Sequence, residues 1–123
     1  MSRVQLSINV SDFEAAVAFY SRLFGAQPAK LRPGYANFAI ADPPLKLVLN
    51  APGNGPGGTV NHLGVEVSTA GEVDQAEARL AAAGLVTDSR PGTECCYARQ
   101  DKVWVHDPDG VPWEYYTEHI ETQ

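Results

Sequence analysis

A chain of 123 residues, 44% hydrophobic and 20% charged, is long enough for one compact domain with a real core, and its composition excludes an intrinsically disordered chain. A formal net charge of -6 argues against nucleic acid and anionic membrane surfaces as partners. No apolar run approaches the ~18 residues of a membrane-spanning helix.

The opening residues, Met1-Ser2-Arg3-Val4-Gln5-Leu6, pass straight into an alternating pattern. They lack the charged region and apolar core of a secretory signal, so a cytoplasmic protein with reduced thiols is expected. Gln5-Leu6-Ser7-Ile8-Asn9-Val10 alternates polar and apolar as a half-buried strand does. A capping box, Ser11-Asp12-Phe13-Glu14, then opens a helix, and Gly25 stands where a left-handed cap would close it. Its apolar stripe is Ala16, Val17, Tyr20, Leu23 and Phe24. Strands are predicted over Pro28–Leu31, Tyr35–Ile40 and Leu45–Leu49. The segment from Ala51 to Gly58 is a linker by its Gly and Pro content.

The pattern then repeats. His62-Leu63-Gly64-Val65-Glu66-Val67 alternates in step with Gln5 to Val10. A second capping box, Thr69-Ala70-Gly71-Glu72, opens a helix with the stripe Val73, Ala76, Leu80 and Ala83, and Gly84 closes it. Further strands are predicted over Leu85–Asp88, Lys102–His106 and Trp113–Thr117, with a turn at Asp107-Pro108-Asp109-Gly110. The organisation is a single α+β domain written twice as βαβββ: module one over 1–50, a linker over 51–59 and module two over 60–117. Two such modules pack into a half-open barrel.

In that arrangement Gln5 and His62 hold matching places on the two first strands. Glu114 shares a face of the last strand with Tyr116, while Trp113 and Tyr115 take the other. One amide, one imidazole and one carboxylate make a three-ligand metal face with open positions, close in type to the two-histidine-one-carboxylate triad of non-haem iron(II) oxygenases. The fourth symmetry-related place falls at Lys46 or Leu47, neither an ordinary ligand. Each residue has a plainer reading: a satisfied polar residue for His62, a surface residue for Gln5, an outward carboxylate for Glu114. His106, before a turn, and His119, in the tail, are read as solvent-facing. Tyr35, Phe38, Tyr97 and Trp104 serve equally as pocket lining or as core.

The only two cysteines are adjacent, Cys95-Cys96, in the polar stretch Arg90-Pro91-Gly92-Thr93-Glu94-Cys95-Cys96-Tyr97, read as a loop. Neighbouring thiolates on a loop can grip one soft ion or one trivalent arsenical. A redox-active vicinal disulfide, or two small buried hydrophobes, are the alternatives. Lys102 ends this stretch and is read equally as a strand-edge cap or as a catalytic group.

The duplicated βαβββ unit, with metal-ligand types on each first strand and on the last, resembles the vicinal-oxygen-chelate superfamily of glyoxalases, bleomycin-resistance proteins and extradiol dioxygenases. Within it, the runs Arg32 to Ile40, Pro43 to Leu49, Cys95-Cys96-Tyr97-Ala98, Gln100 to Val105 and Asp107 to Glu114 are similar to the ArsI/CadI branch of organoarsenical carbon–arsenic lyases and cadmium-induced proteins. The resemblance spans Val4 to Tyr116. It implies Fe(II)- and dioxygen-dependent cleavage of the carbon–arsenic bond in trivalent organoarsenicals such as methylarsenite and reduced aromatic arsenicals. It implies Gln5, His62 and Glu114 as iron ligands, Cys95 and Cys96 as the arsenic-binding pair, and catalytic roles for Glu114 and Lys102. Superfamily members often pair, so a homodimer is compatible with it. The rival readings are a non-catalytic protein that sequesters cadmium or arsenic through its thiols, and another glyoxalase or dioxygenase of the superfamily.

Overall fold

The computed structural model describes residues 2–95 and 98–121. Its elements in chain order are β1 (Arg3–Asn9), α1 (Phe13–Phe24), β2 (Lys30–Arg32), β3 (Tyr35–Ile40), β4 (Leu45–Asn50), β5 (Val60–Glu66), α2 (Ala70–Ala82), β6 (Asp88–Cys95), β7 (Ala98–His106) and β8 (Pro112–Glu121). The chain divides into two compact units, Arg3–Leu63 and the residues from Gly64 on, so the division falls inside β5. Among the described residues no helix is long and apolar enough to cross a membrane.

In the first unit the strands run in the order β2-β3-β4-β1. β1 lies parallel to β4, with Gln5 opposite Lys46, whereas β2, β3 and β4 are antiparallel neighbours. Period-two alternation gives this sheet two different faces. Leu6 and Ile8 join Ala36, Phe38, Ile40, Leu47 and Leu49 against Phe13, Ala16, Val17, Tyr20 and Phe24 of α1. Burying a side chain such as Phe38 or Leu49 contributes about 1.5–3 kcal/mol. The opposite parity on β1 is polar and the more buried of the two: Gln5, Ser7 and Asn9 are 4%, 0% and 1% exposed. A buried polar row needs hydrogen-bond partners to be stable.

Both helix starts are capped. Asp12, and not Ser11 before it, caps α1 by accepting from the Ala15 amide at 3.1 Å, three residues on. Gly25 closes α1 in the left-handed region, at φ 61°. Leu23 departs from the expected stripe: it is 58% exposed, while the other four stripe residues pack on the core.

In the second unit β8, β7 and β6 are antiparallel neighbours. Val73 and Leu80 of α2 pack with Val103 and, around them, Val67, Val105 and Tyr115. Arg79 Nη2 donates to the Tyr115 hydroxyl at 3.1 Å and its guanidinium lies over that ring. Thr69 caps α2 as the sequence pattern requires, accepting from the Glu72 amide at 3.2 Å. Ala83 is exposed beyond the helix end.

Two expectations are corrected. Leu85 to Thr87 form no strand, and Val86 is 91% exposed. The strand begins instead at Asp88 and continues to Cys95, through the stretch read as a loop. Pro91 cannot donate to a ladder, and the β6–β7 register shifts between Arg90 and Thr93, where Pro91 and Gly92 are absorbed.

Candidate metal centre and thiol residues

Gln5 on β1 and His62 on β5 meet: the amide Nε2 of Gln5 lies 3.1 Å from the imidazole Nε2 of His62. The other ring nitrogen, Nδ1, lies 2.8 Å from Oδ1 of Asn61. Asn61 Nδ2 in turn donates to Oδ1 of Asn9 at 2.9 Å. Asn9 is the hub of this network. Its Oδ1 also accepts from the Asn54 backbone amide at 3.2 Å, and its Nδ2 donates to Asn54 Oδ1 at 3.0 Å and to Thr59 Oγ1 at 2.9 Å.

The stretch from Ala51 to Gly58 therefore does more than join two modules. Its backbone folds onto Asn9, with the Asn9 amide donating to Thr59 O at 2.8 Å and the Gly58 amide donating to Asn9 O at 2.7 Å. Gly53 makes this approach feasible, because a Cβ there would stand 2.0 Å from Asn9 Oδ1.

In the second unit Glu114 and Lys102 form a buried ion pair, Nζ to Oε1 3.2 Å, with side chains 4% and 3% exposed. The β7–β8 register places Trp104 opposite Glu114 and Lys102 opposite Tyr116, so the four share one face of the ladder. The Lys102 ammonium also lies 5.5 Å from the Trp104 ring centre. Tyr116 is fully buried and donates to Glu66 Oε1 at 2.9 Å. Burial first, and the Glu66 carboxylate second, push its phenol far above the ordinary tyrosine range.

Cys95 is the last residue of β6 and its register partner is Ala98, the first of β7. Cys96 and Tyr97 lie outside the described residues, as do the side chains of Cys95 and His119. His106 is exposed, Trp104 is half-buried, and Phe38 belongs to the apolar core. Tyr35 is buried, its hydroxyl accepting from Asn37 Nδ2 at 3.1 Å.

The donors present suit a divalent cation of intermediate hardness. Imidazole, carboxylate and amide oxygen are the types that hold iron(II), manganese(II) and their neighbours. The Gln5 and His62 head groups, 3.1 Å apart, would both reach one ion held between them. A half-turn of the Gln5 amide exchanges its nitrogen for its oxygen. Among the described residues no three His, Cys, Asp or Glu side chains gather to hold an ion.

Sequence reasoning passed over Asn9 and Asn61. Their signal is a modest one. Asn9 continues the polar parity of Gln5 and Ser7 on an otherwise apolar strand, and Asn61 directly precedes the histidine. Lys46 carries the same parity signal: it sits opposite Gln5 and is 3% exposed.

The family profile described as "Glyoxalase/Bleomycin resistance protein/Dioxygenase superfamily" matches residues 2–115. The chain is 65% identical over 117 residues to the cadmium-induced protein CadI of Mycobacterium tuberculosis, covering 95% of this chain and 76% of that protein. It is 57% identical over 116 residues to the trivalent organoarsenical cleaving enzyme of Thermomonospora curvata, covering 94% and 77% respectively. Among solved structures it is similar to homoprotocatechuate 2,3-dioxygenase from Arthrobacter globiformis, with a TM-score of 0.66 and 26% identity, over 97% of this chain and 36% of that one. The Mn(II)-bound glyoxalase from Novosphingobium aromaticivorans shares the fold, with a TM-score of 0.66 and 20% identity, over 100% of this chain and 43% of the other.

Proposed function

The chain belongs to the glyoxalase/bleomycin resistance protein/dioxygenase superfamily, and on that premise we propose that it cleaves the carbon–arsenic bond of trivalent organoarsenicals, releasing arsenite. The observation that carries this reading is the 57% identity, across 94% of the chain, to a protein named for that cleavage. The adjacent Cys95 and Cys96 supply the thiols such a substrate needs.

Gln5, His62 and Glu114 are the donors we assign to a resident iron(II) ion. The ion, when bound, supplies the dioxygen and electron-transfer chemistry that no side chain here has. The protein's own part is to bind and orient. A trivalent arsenic carrying one carbon group has two exchangeable oxygens. Two thiols replace both: two arsenic–sulfur bonds form, two arsenic–oxygen bonds break, and the thiol protons leave with the departing oxygens as water. The carbon is then the one substituent left, and two bonds from adjacent residues to one arsenic restrict its direction, which is a proximity advantage. Inorganic arsenite has a third exchangeable position and would gain from a third thiolate, which this chain lacks. That difference favours a monoorganic substrate and release of the product. Lys102 sets a positive charge 3.2 Å from the Glu114 carboxylate and holds it in place.

The test is anaerobic reconstitution with iron(II), then addition of methylarsenite and air, with arsenic species separated over time. Arsenite formed only when iron and oxygen are both present is the expected result. Arsenical held tightly with no arsenite formed would overturn it in favour of a second reading, a thiol-based metal-binding protein. That reading rests on the adjacent thiols, a soft-ion donor pair, in a chain 65% identical to a protein named as cadmium-induced. Binding through Cys95 and Cys96 alone has no use for an imidazole and an amide set 3.1 Å apart.

A further inference from the structure

We propose that Asn61 is a positioning residue that fixes His62 as its Nδ1–H tautomer, leaving the Nε2 lone pair directed to the Gln5 side, and that the glycine-rich segment sets Asn61 through Asn9. The role given to Nε2 rests on the reading of His62 as a metal ligand; the tautomer itself does not.

The polarity of the network follows from two backbone groups whose roles cannot be reversed. The Asn54 amide can only donate, and it lies 3.2 Å from one side-chain atom of Asn9, which must therefore be Oδ1. The Pro56 carbonyl can only accept, and Thr59 Oγ1 donates to it. The Thr59 hydroxyl has then spent its hydrogen, so it accepts from Asn9, and the atom facing it must be Nδ2. Both anchors give Asn9 the same orientation.

The rest propagates. Because Asn9 presents Oδ1 to Asn61, the group of Asn61 that meets it at 2.9 Å is the NH2. Asn61 therefore turns its oxygen toward His62, and at 2.8 Å the ring Nδ1 must carry the hydrogen. A neutral imidazole with a hydrogen on Nδ1 has a lone pair on Nε2, which faces the Gln5 amide at 3.1 Å. Fixing one ring nitrogen as donor so that the other can ligate is how outer hydrogen bonds prepare a histidine for a metal. Here the outer partner is an amide held by a second amide, which is itself clasped by residues 54 to 59. Gly53 permits the clasp, since any Cβ would overlap Asn9 Oδ1.

The experiment is two-bond proton–nitrogen correlation NMR on metal-free protein labelled at histidine, at an alkaline pH where the ring-nitrogen shifts no longer change with pH. The three histidine signals are assigned with His106→Gln and His119→Gln variants. The expected wild-type spectrum shows His62 with a protonated Nδ1 and an unprotonated Nε2. Asn61→Leu, which offers no acceptor, should shift His62 toward the Nε2–H form that free side chains favour. Asn61→Asp, which keeps an oxygen at the same place, should restore the Nδ1–H form. Manganese(II) affinity, measured by calorimetry, should fall roughly ten- to a hundredfold in Asn61→Leu and by less in Asn61→Asp.

A wild-type spectrum with the hydrogen on Nε2 overturns the inference and needs no variant to fold. An Asn61→Leu variant that keeps the wild-type tautomer overturns it as well. If the tautomer behaves as stated but the wild type binds no manganese(II) or iron(II), the positioning role stands and the metal reading of His62 fails.

Discussion

Lys102 Nζ stands 3.2 Å from Glu114 Oε1 with both side chains all but sealed from solvent, at 3% and 4% exposed. A buried ion pair stabilises little over an apolar replacement of both partners, but removing one partner alone costs about 3–5 kcal/mol. Lys102→Met and Glu114→Gln should each lower stability by roughly that amount in urea unfolding. The double variant should recover much of the loss, and the cycle should show coupling above about 1 kcal/mol. Since a divalent cation can also answer the Glu114 charge, manganese(II) should raise the unfolding midpoint of Lys102→Met more than that of Glu114→Gln. Equal shifts in the two would remove Glu114 from the ligand set.

Gly71, which does not approach Asn9, is a control for Gly53 in the clasp on Asn9. A Cβ at Gly53 would stand 2.0 Å from Asn9 Oδ1, whereas at Gly71 the nearest atom would be 3.8 Å away. Gly53→Ala should therefore destabilise by about 1–3 kcal/mol through overpacking. Gly71→Ala, in the first turn of α2, should be neutral or stabilising by up to about 1 kcal/mol. Thermal unfolding of the two variants beside the wild type decides it. A Gly53→Ala protein as stable as Gly71→Ala would mean that the segment is the passive linker its composition suggests.

That segment shows where sequence reading stopped. Gly and Pro content reports local backbone freedom, and from Ala51 to Gly58 it says "linker". The structure comes from one distant residue, Asn9, whose side chain collects the Asn54 amide and the Thr59 hydroxyl. The β6 strand was hidden for a related reason: Pro91 and Gly92 read as turn residues, and only pairing with β7 shows a register shift that accommodates them. What was legible rests on short-range rules. Caps at Thr69 and Gly25, the parity of Gln5, Ser7 and Asn9, and the shared face of Glu114 and Tyr116 each follow from spacing alone. The meeting of Gln5 with His62 was legible because the chain repeats itself. The Lys102–Glu114 pair was not, because it lies diagonally across a ladder whose register the sequence does not state.

Tyr116 makes stability depend on pH at the alkaline end. Its phenol is held well above its usual value of 10.0 by burial and by Glu66. Above about pH 10 an unfolded tyrosine loses its proton while the folded one keeps it, so the native state binds more protons. The contribution is complete below pH 10 and is lost as pH rises, by about 1.4 kcal/mol per unit. Tyr116→Phe should be less stable than wild type near pH 8 by about 1.5–3 kcal/mol, having lost a hydrogen bond to a carboxylate. It should also lack this alkaline slope, so the gap between the two proteins should narrow above pH 10. Urea midpoints for both proteins across that range test it, and a constant gap would sink the assignment.

Cys95→Ser and Cys96→Ser separate the thiols from the proposed metal donors. Each variant leaves one thiol, so an arsenical can make a single bond to sulfur and loses the second, intramolecular one. Such a loss weakens capture by on the order of 10²–10⁴-fold. Native mass spectrometry with a trivalent phenylarsenical should show the two-bond adduct on wild type and its loss in both variants. Gln5, His62 and Glu114 are untouched by either change, so iron content after reconstitution should equal that of wild type. Turnover to arsenite should fall with capture. Wild-type turnover in both single variants would exclude the adjacent cysteines from the reaction, whereas lost iron in either would place a cysteine among the metal ligands.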